Sequence, residues 1–271
     1  MINKLVLMSF CVSYVIGSIP FGLIISSVFF KQDIRQQGSG NIGATNAFRL
    51  GGKVSGATTL LLDGLKGLIP TIMFATISSN CEIAAACGAV CGHIFSVFLR
   101  FKGGKGVATS MFCAFAVNPV VGAFSLCSWI ATFILTRYSG LSSIIASIST
   151  VIASVAFSLV ALNIKDHDID IENFDTSSDI FMQLGYFVFI SALVILKHAS
   201  HIQNIYNSSI AEDAKDESNA GLSENKEHET IILNNEHEHE VILFDHIIRT
   251  DDIIEDQANQ NCESVEGMSE D

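Results

Sequence analysis

Uncharged apolar runs recur along the chain as far as residue 196, separated by short polar segments. About 20 apolar residues in a helix cross the hydrocarbon core of a bilayer, so each run predicts a membrane-spanning helix. The chain is therefore predicted to be an all-α integral membrane protein. The runs are 5–29, 54–74 with Asp63 and Lys66 inside it, 83–99 with His93 inside it, 107–135, 141–164 and 180–196.

The run 107–135 is too long for one upright crossing, because a helix rises about 1.5 Å per residue and the hydrocarbon core is about 30 Å thick. Asn118-Pro119 interrupts it, and proline removes a backbone donor and disfavours helix in the residue before it. Two interpretations follow. One strongly tilted helix gives six crossings in all, whereas a helical hairpin that turns at Asn118-Pro119 gives seven.

Loop charge favours seven crossings, because Lys and Arg concentrate on the cytoplasmic side of a membrane protein. Loops 30–53 and 100–106 are basic, whereas loop 165–179 is acidic. With seven crossings the two basic loops, Arg137 and Lys197 all lie inside, the N-terminus lies outside and the C-terminus lies inside. With six crossings Arg137 faces outward and the chain ends outside. We therefore predict a seven-helix bundle.

Composition and charge divide the chain into two parts. Apolar residues make up 49% and charged residues 16% of the chain, whereas an average globular chain carries about 25% charged residues. Residues 206–271 hold 19 of the 28 acidic residues and 3 of the 15 Lys and Arg. We predict a transmembrane domain over 1–205 and an acidic, disordered tail over 206–271. A free soluble enzyme, a disulfide scaffold and a nucleic-acid-binding domain are excluded.

The first candidate site is the glycine-rich segment 38–46, Gly-Ser-Gly-Asn-Ile-Gly-Ala-Thr-Asn, followed by Arg49. It matches the G-x-G-x-x-G pattern of dinucleotide-binding folds, but it follows a membrane span rather than a strand. Glycines let backbone N–H groups approach an anion, Ser39, Thr45 and Asn46 add hydrogen-bonding groups, and Arg49 adds a bidentate charge. We predict an anion-binding loop, called the first glycine-rich loop below.

The second candidate site is the segment 101–107, in which Lys105 stands among glycines and opens an apolar run. Backbone amides, a helix N-terminus and an ammonium group together make a phosphate seat. A plain basic loop at the membrane edge explains the lysines but not the glycines. We call this segment the second glycine-rich loop.

Two further features carry polar chemistry. A segment with His201 and Asn204, residues 197–205, directly follows the last span. Asp63 and Lys66 stand three residues apart within a span, where charges are costly, so we expect them to face the bundle and form a structural ion pair.

Together these segments resemble the membrane acyl-phosphate:glycerol-3-phosphate acyltransferase family over roughly residues 5–205. The resemblance implies a seven-helix bundle in the plasma (inner) membrane with its active site at the cytoplasmic face. The matching residues are Gly17-Ser18-Ile19-Pro20-Phe21-Gly22, Gly38-Ser39-Gly40-Asn41, Thr45-Asn46, Arg49, Asp63, Lys66-Gly67, Gly92-His93, 101–109, His201, Asn204 and Ile205.

The same resemblance implies which residues form the site. The catalytic residues would be Ser39, Arg49, Lys105, His201 and Asn204. The substrate-binding residues would be Gly38, Gly40, Asn41, Thr45, Asn46, Gly103, Gly104, Gly106, Ser142 and Ser143. Among these, Thr45 and Asn46 would shape the site.

The family transfers a fatty acyl group from acyl phosphate to the 1-hydroxyl of glycerol 3-phosphate, which forms lysophosphatidic acid for phospholipid biosynthesis. Acyl phosphate is already activated, so we expect no metal, no cofactor and no covalent acyl-enzyme, and catalysis by positioning and oxyanion stabilisation. A substrate phosphate oxygen or His201 would accept the hydroxyl proton. We expect membrane lipid around a functional monomer, and no nucleic-acid partner.

The alternative is a transporter of small anions such as phosphate esters, because glycine-rich half-helix ends aimed at phosphate also serve transport. That interpretation expects ligand groups near the membrane midplane and internal repeats. The motifs instead stand at the ends of spans, and the sequence contains no visible repeat.

Overall fold

A computed structural model describes residues 2–166 and 178–199, and within these ranges the chain is helical with no strand. Two short 3₁₀ helices, Ile34–Gln36 and Val97–Leu99, lie in the loops. The α-helices are α1 Ile2–Gly17, α2 Phe21–Phe30, α3 Ala44–Ala75, α4 Ser79–Ile94, α5 Val107–Val117, α6 Pro119–Thr136, α7 Ser139–Asp166 and α8 Ser178–Ala199.

Six of the described segments are long and apolar enough to cross a bilayer, and the shorter apolar α5 is the seventh member of the bundle. Helices α1 and α2 together form one of these segments, Lys4–Phe30, which is broken between residues 17 and 21. With this broken segment counted once, the described residues form seven bundle members, so the predicted seven-helix class is confirmed.

The predicted division of the run 107–135 is also confirmed. The Asn118 side chain accepts hydrogen bonds from the backbone N–H groups of Val120 at 3.1 Å and Val121 at 3.2 Å. Pro119 occupies the first position of α6, where its missing N–H has no intrahelical acceptor to lose. The Asn-Pro pair therefore ends α5 and starts α6 in a tight hairpin.

The prediction of a loop over 30–53 is wrong in its second half, because the loop is shorter in the structure. Helix begins at Ala44, and Gly52, with φ of 68°, introduces a kink into α3. Residues 44–51 therefore form a helical segment at the end of the bundle, with Asn46 and Ala47 buried. Its position between two apolar runs and its basic charge suggested a loop, but the positive φ of Gly52 lets this segment leave the axis of the span and remain helical.

Glycines bring α1 and α4 into close backbone contact. A methyl group at Gly88 would overlap the carbonyl oxygen of Phe10, and one at Gly92 would overlap that of Tyr14. Gly17 has the same relation to Ala89. Small residues at such positions allow membrane helices to approach closely and gain van der Waals contact.

We predict that Gly88→Ala destabilises the bundle, because the added methyl group has to displace backbone of α1, and such overpacking costs about 1–3 kcal/mol. The measurement is thermal unfolding in detergent micelles. The matched control is Gly185→Ala on α8, where no described atom lies within 4 Å of an added methyl group. Alanine is the better helix former, so the control should be neutral or stabilising. An unchanged melting temperature for Gly88→Ala contradicts the packing described here.

Candidate functional site

The first glycine-rich loop is organised by one buried side chain, that of Asn46 at the start of α3. Its Nδ2 atom shares its two N–H groups among the backbone carbonyls of Ile34 at 3.2 Å, Gln37 at 3.1 Å and Asn41 at 2.9 Å. Its Oδ1 atom accepts from the N–H of Ser39 at 3.1 Å. Asn46 is only 2% exposed, so its part in the proposed site is to shape the loop rather than to present a free amide.

Two glycines in this loop have backbone angles that side chains rarely adopt. Gly38 has φ of 56° and Gly40 has φ of 66°. A methyl group at Gly38 would also overlap the Asn46 Oδ1 atom. These glycines therefore allow the chain to wrap around Asn46, which is the conformational reason for a pattern that the sequence analysis attributed to anion approach.

Of the two arginines near the first glycine-rich loop, Arg35 and Arg49, only Arg49 is without a carboxylate partner among the described residues. The guanidinium of Arg35 is already paired, since its Nε atom lies 2.9 Å from the Asp33 Oδ1 atom. Hydrogen bonds from the side chain and the backbone N–H of Arg35 lower the pKa of Asp33 to about 2, so this pair stays charged. Arg49, on the helical segment 44–51, and Ser39, in the loop, are both half-buried, and Thr45 is exposed.

The second glycine-rich loop is packed onto the end of α4. The N–H groups of Gly103 and Gly104 donate to the carbonyl oxygens of Ile94 and His93, each at 3.1 Å. A methyl group at Gly103 would overlap the His93 carbonyl oxygen, and one at Gly104 would overlap the His93 Nε2 atom. The expectation that these two residues offer free amides to a phosphate is therefore corrected: their amides are engaged, and their lack of side chains serves packing.

The start of α5 remains suited to an anion. Gly106 has φ of 83° and forms the N-cap of α5, with Lys105 half-buried directly before it. The first turn of a helix has N–H groups without intrahelical acceptors, and the helix dipole favours negative charge there. The amides that could contact a phosphate are thus those of the first turn of α5.

The two glycine-rich loops lie at the same end of the bundle. Leu99, just before the second loop, packs in one buried cluster with Ile34, Ile42 and Ala47 from the region of the first loop. The end of α8 reaches the same region, because the Lys197 Nζ atom lies 5.8 Å from the ring centroid of Phe95. His201, Asn204 and the acidic tail 206–271 lie outside the described residues.

A buried polar cluster lies beneath the second loop. Lys66 Nζ is 2.7 Å from Asp63 Oδ1, which confirms the predicted ion pair. Thr109 Oγ1 donates to the Asp63 carbonyl oxygen at 2.8 Å and lies 3.2 Å from His93 Nδ1. His93 and Thr109 are among the residues that carry the family resemblance, but no role was predicted for either. An imidazole within an apolar span was the available signal, but its partners come from other helices.

Ser142 and Ser143 lie on α7, apart from either loop in the sequence. Both are buried, and the Ser143 hydroxyl accepts a hydrogen bond from the Trp129 indole at 3.2 Å. Ser143 also lines a narrow cavity among α5, α6, α7 and α8, together with Val107 and Ser110 of α5. Val107, which lines this cavity, therefore follows Lys105 by only two residues in the sequence.

Comparison with known proteins gives consistent matches. The family model described as glycerol-3-phosphate acyltransferase matches residues 7–208. A glycerol-3-phosphate acyltransferase of Pelagibacter ubique is 44% identical over 145 residues, which cover 54% of this chain and 76% of that protein. One from Brucella canis is 37% identical over 205 residues, covering 76% of this chain and 92% of that protein.

Two solved structures also match. They are crystal structures of PlsY, an integral membrane glycerol 3-phosphate acyltransferase, in a glycerol 3-phosphate form and a lysophosphatidic acid form. The TM-scores are 0.61 for the first and 0.60 for the second. Each is 34% identical to this chain, and each match covers 75% of this chain and 92% of that structure.

We predict that Asn46→Asp opens the first loop, because a carboxylate would face three carbonyl oxygens that now accept hydrogen bonds. A buried group left without its partner costs about 1–3 kcal/mol. The measurements are thermal unfolding and the rate of limited proteolysis within residues 37–43. Gln36→Ala, at an exposed position of the same segment, is the control and should match the parent. Unchanged protease resistance in Asn46→Asp contradicts this role.

Proposed function

The chain belongs to the glycerol-3-phosphate acyltransferase family and is an acyltransferase, and on this premise we propose that it transfers a fatty acyl group from acyl phosphate to the 1-hydroxyl of glycerol 3-phosphate. The products would be lysophosphatidic acid and inorganic phosphate. Both substrates carry a phosphate group, so the site needs two anion-binding regions close to each other.

The observation that carries the proposal is the contact of Leu99 with Ile34, Ile42 and Ala47, which holds the two glycine-rich loops at one end of the bundle. Arg49 then stands on one side of the proposed site and Lys105, with the first turn of α5, on the other. Each provides a positive charge for one phosphate. A bidentate guanidinium and a helix N-terminus are both suited to phosphate oxygens.

The reaction requires no activation of the acyl group by the protein. The 1-hydroxyl oxygen forms a bond to the carbonyl carbon, the bond from that carbon to the phosphate oxygen breaks, and inorganic phosphate leaves. The hydroxyl proton passes to a phosphate oxygen or to His201. Holding the two substrates together lowers the entropy cost of the reaction, and hydrogen-bond donors stabilise the oxyanion. By the family resemblance, Ser39 and Asn204 complete this set of polar groups.

The acyl chain is proposed to lie between helices of the bundle, beside the start of α5. Val107, Met111 and Ala114 follow one another along α5 away from Lys105, and they line a narrow cavity together with hydroxyl groups such as those of Ser143 and Ser147. An acyl phosphate held at the start of α5 can extend its chain along this side of α5 toward the bilayer interior.

The orientation in the membrane follows from the charge of the two loops. Because both are basic and lie at the same end of the bundle, the proposal places that end in the cytoplasm, the N-terminus outside and the C-terminus inside. The site would then receive glycerol 3-phosphate from the cytoplasm of a cell whose plasma (inner) membrane holds the protein.

The direct experiment incubates the purified protein in lipid vesicles with acyl phosphate and glycerol 3-phosphate and detects lysophosphatidic acid by mass spectrometry. Product formation without an ion gradient supports the proposal. Parallel reactions with acyl-CoA or acyl carrier protein as the donor are the controls. Product from one of these donors alone overturns the proposed donor, and substrate uptake into vesicles without any product favours the transporter instead.

We predict that Arg49→Ala lowers kcat/KM by about 100-fold, because removing one partner of a charged contact to phosphate costs about 2–5 kcal/mol. Steady-state kinetics with each substrate varied in turn measures the effect. Lys53→Ala removes an exposed cation four residues away and is the matched control, which should stay within about twofold of the parent. Equal losses in the two variants would mean that general loop charge, and not Arg49, is responsible.

A further inference from the structure

The buried polar cluster of Asp63, Lys66, His93 and Thr109 connects three helices directly below the second glycine-rich loop. Asp63 and Lys66 come from α3, His93 from α4 and Thr109 from α5, and none is more than 4% exposed. Burial of an ion pair is weak evidence for stability, because desolvation offsets much of the attraction. The cluster is therefore better explained by the groups that it holds in place.

The imidazole of His93 has a defined hydrogen-bonding role. The Thr109 hydroxyl has a single proton, which it donates to the Asp63 carbonyl oxygen at 2.8 Å. Its oxygen can therefore only accept from His93 Nδ1, 3.2 Å away, so that Nδ1 carries a proton. The Asp63 Oδ1 atom, 3.7 Å from Nδ1, favours the same arrangement. The ring is thus fixed from its Nδ1 side.

The other side of His93 contacts the second loop. Its Nε2 atom lies where a side chain at Gly104 would begin, and its carbonyl oxygen accepts the Gly104 N–H at 3.1 Å. Gly104 is thus held both by the ring and by the backbone of one residue. Since consecutive Cα atoms are about 3.8 Å apart, fixing Gly104 restricts where the backbone of Lys105 can lie.

Lys66 secures the far side of the cluster. Its Nζ atom lies 2.7 Å from Asp63 Oδ1 and donates to the Ile19 carbonyl oxygen at 2.7 Å, in the break between α1 and α2. It also lies 5.7 Å from the Phe21 ring centroid. The carboxylate that faces His93 is thereby neutralised and anchored, and its position is tied to the first membrane-spanning segment.

We infer that His93 is a positioning residue for Lys105: Asp63 and Thr109 orient the imidazole, the imidazole supports Gly104, and Gly104 sets the position of the lysine that binds a substrate phosphate. This inference rests on the proposed function. It adds a buried residue at the end of α4 to a site otherwise built from the two loops and the start of α5.

Two substitutions each remove one contact of the ring. Asparagine at position 93 can place an amide N–H near the present Nδ1 position but lacks the ring atoms beside Gly104, whereas glutamine reaches toward Nε2 and loses the contact with Thr109. Because the role requires both contacts, we expect His93→Asn, His93→Gln and His93→Ala each to raise the KM for one substrate by about 10- to 100-fold. The KM for the other substrate should stay unchanged.

A double-mutant cycle provides the decisive test. If His93 acts through Lys105, then adding His93→Ala to Lys105→Ala produces no further rise in that KM, whereas independent sites give multiplied effects. Thr109→Val removes the acceptor for Nδ1 and should reproduce the KM change if His93→Ala does not fold. Thr71→Val, at a buried threonine whose hydroxyl donates to Gly67 at 2.8 Å, is the matched control and should leave both KM values unchanged.

The outcomes are distinguishable. A parent enzyme that forms no product from acyl phosphate overturns the proposed function itself. An active parent in which the effects of His93→Ala and Lys105→Ala multiply, or in which only the melting temperature and the active fraction fall, overturns the positioning role. A rise in one KM that appears in the His93 variants and is absent in the Lys105→Ala background supports it.

Discussion

The packing of Leu99 against Ile34, Ile42 and Ala47 is the contact on which the proposed site depends. It joins two glycine-rich segments that are more than 50 residues apart in the sequence. In the proposed reaction the first segment offers Arg49 to one phosphate, and the second offers Lys105 with the start of α5 to the other. Under that proposal, only the two segments together provide a place for two phosphorylated substrates.

Below this contact, the bilayer imposes a second constraint. Polar groups within the hydrocarbon core need partners, because no water is present to replace them. The ion pair of Asp63 and Lys66 has further partners of this kind. Lys66 donates to the backbone carbonyl of Ile19 in the break of the first span, and Asp63 lies close to the imidazole of His93 on α4. A cluster of this kind links stability to site geometry, since the same His93 that it orients supports the second loop.

Local features were predictable from the sequence, and features that depend on distant contacts were not. The hairpin at Asn118-Pro119 and the ion pair of Asp63 and Lys66 each follow from residues close together in the chain. The reason for glycine at 103 and 104 lies in their packing against His93, which no local pattern reveals. The resemblance implied that Asn46 shapes the site, but the loop carbonyls that its amide contacts could not be predicted from the sequence.

The most direct test of the shared site is the sidedness of the two loops. All seven native cysteines are first replaced. A single cysteine is then introduced at Gln36 or at Lys102, both of which are exposed. Oriented membrane vesicles that contain each variant are treated with a membrane-impermeant thiol reagent. The two positions should be labelled from the same, cytoplasmic side. Labelling of Gln36→Cys and Lys102→Cys from opposite sides would contradict a common site for the two phosphates.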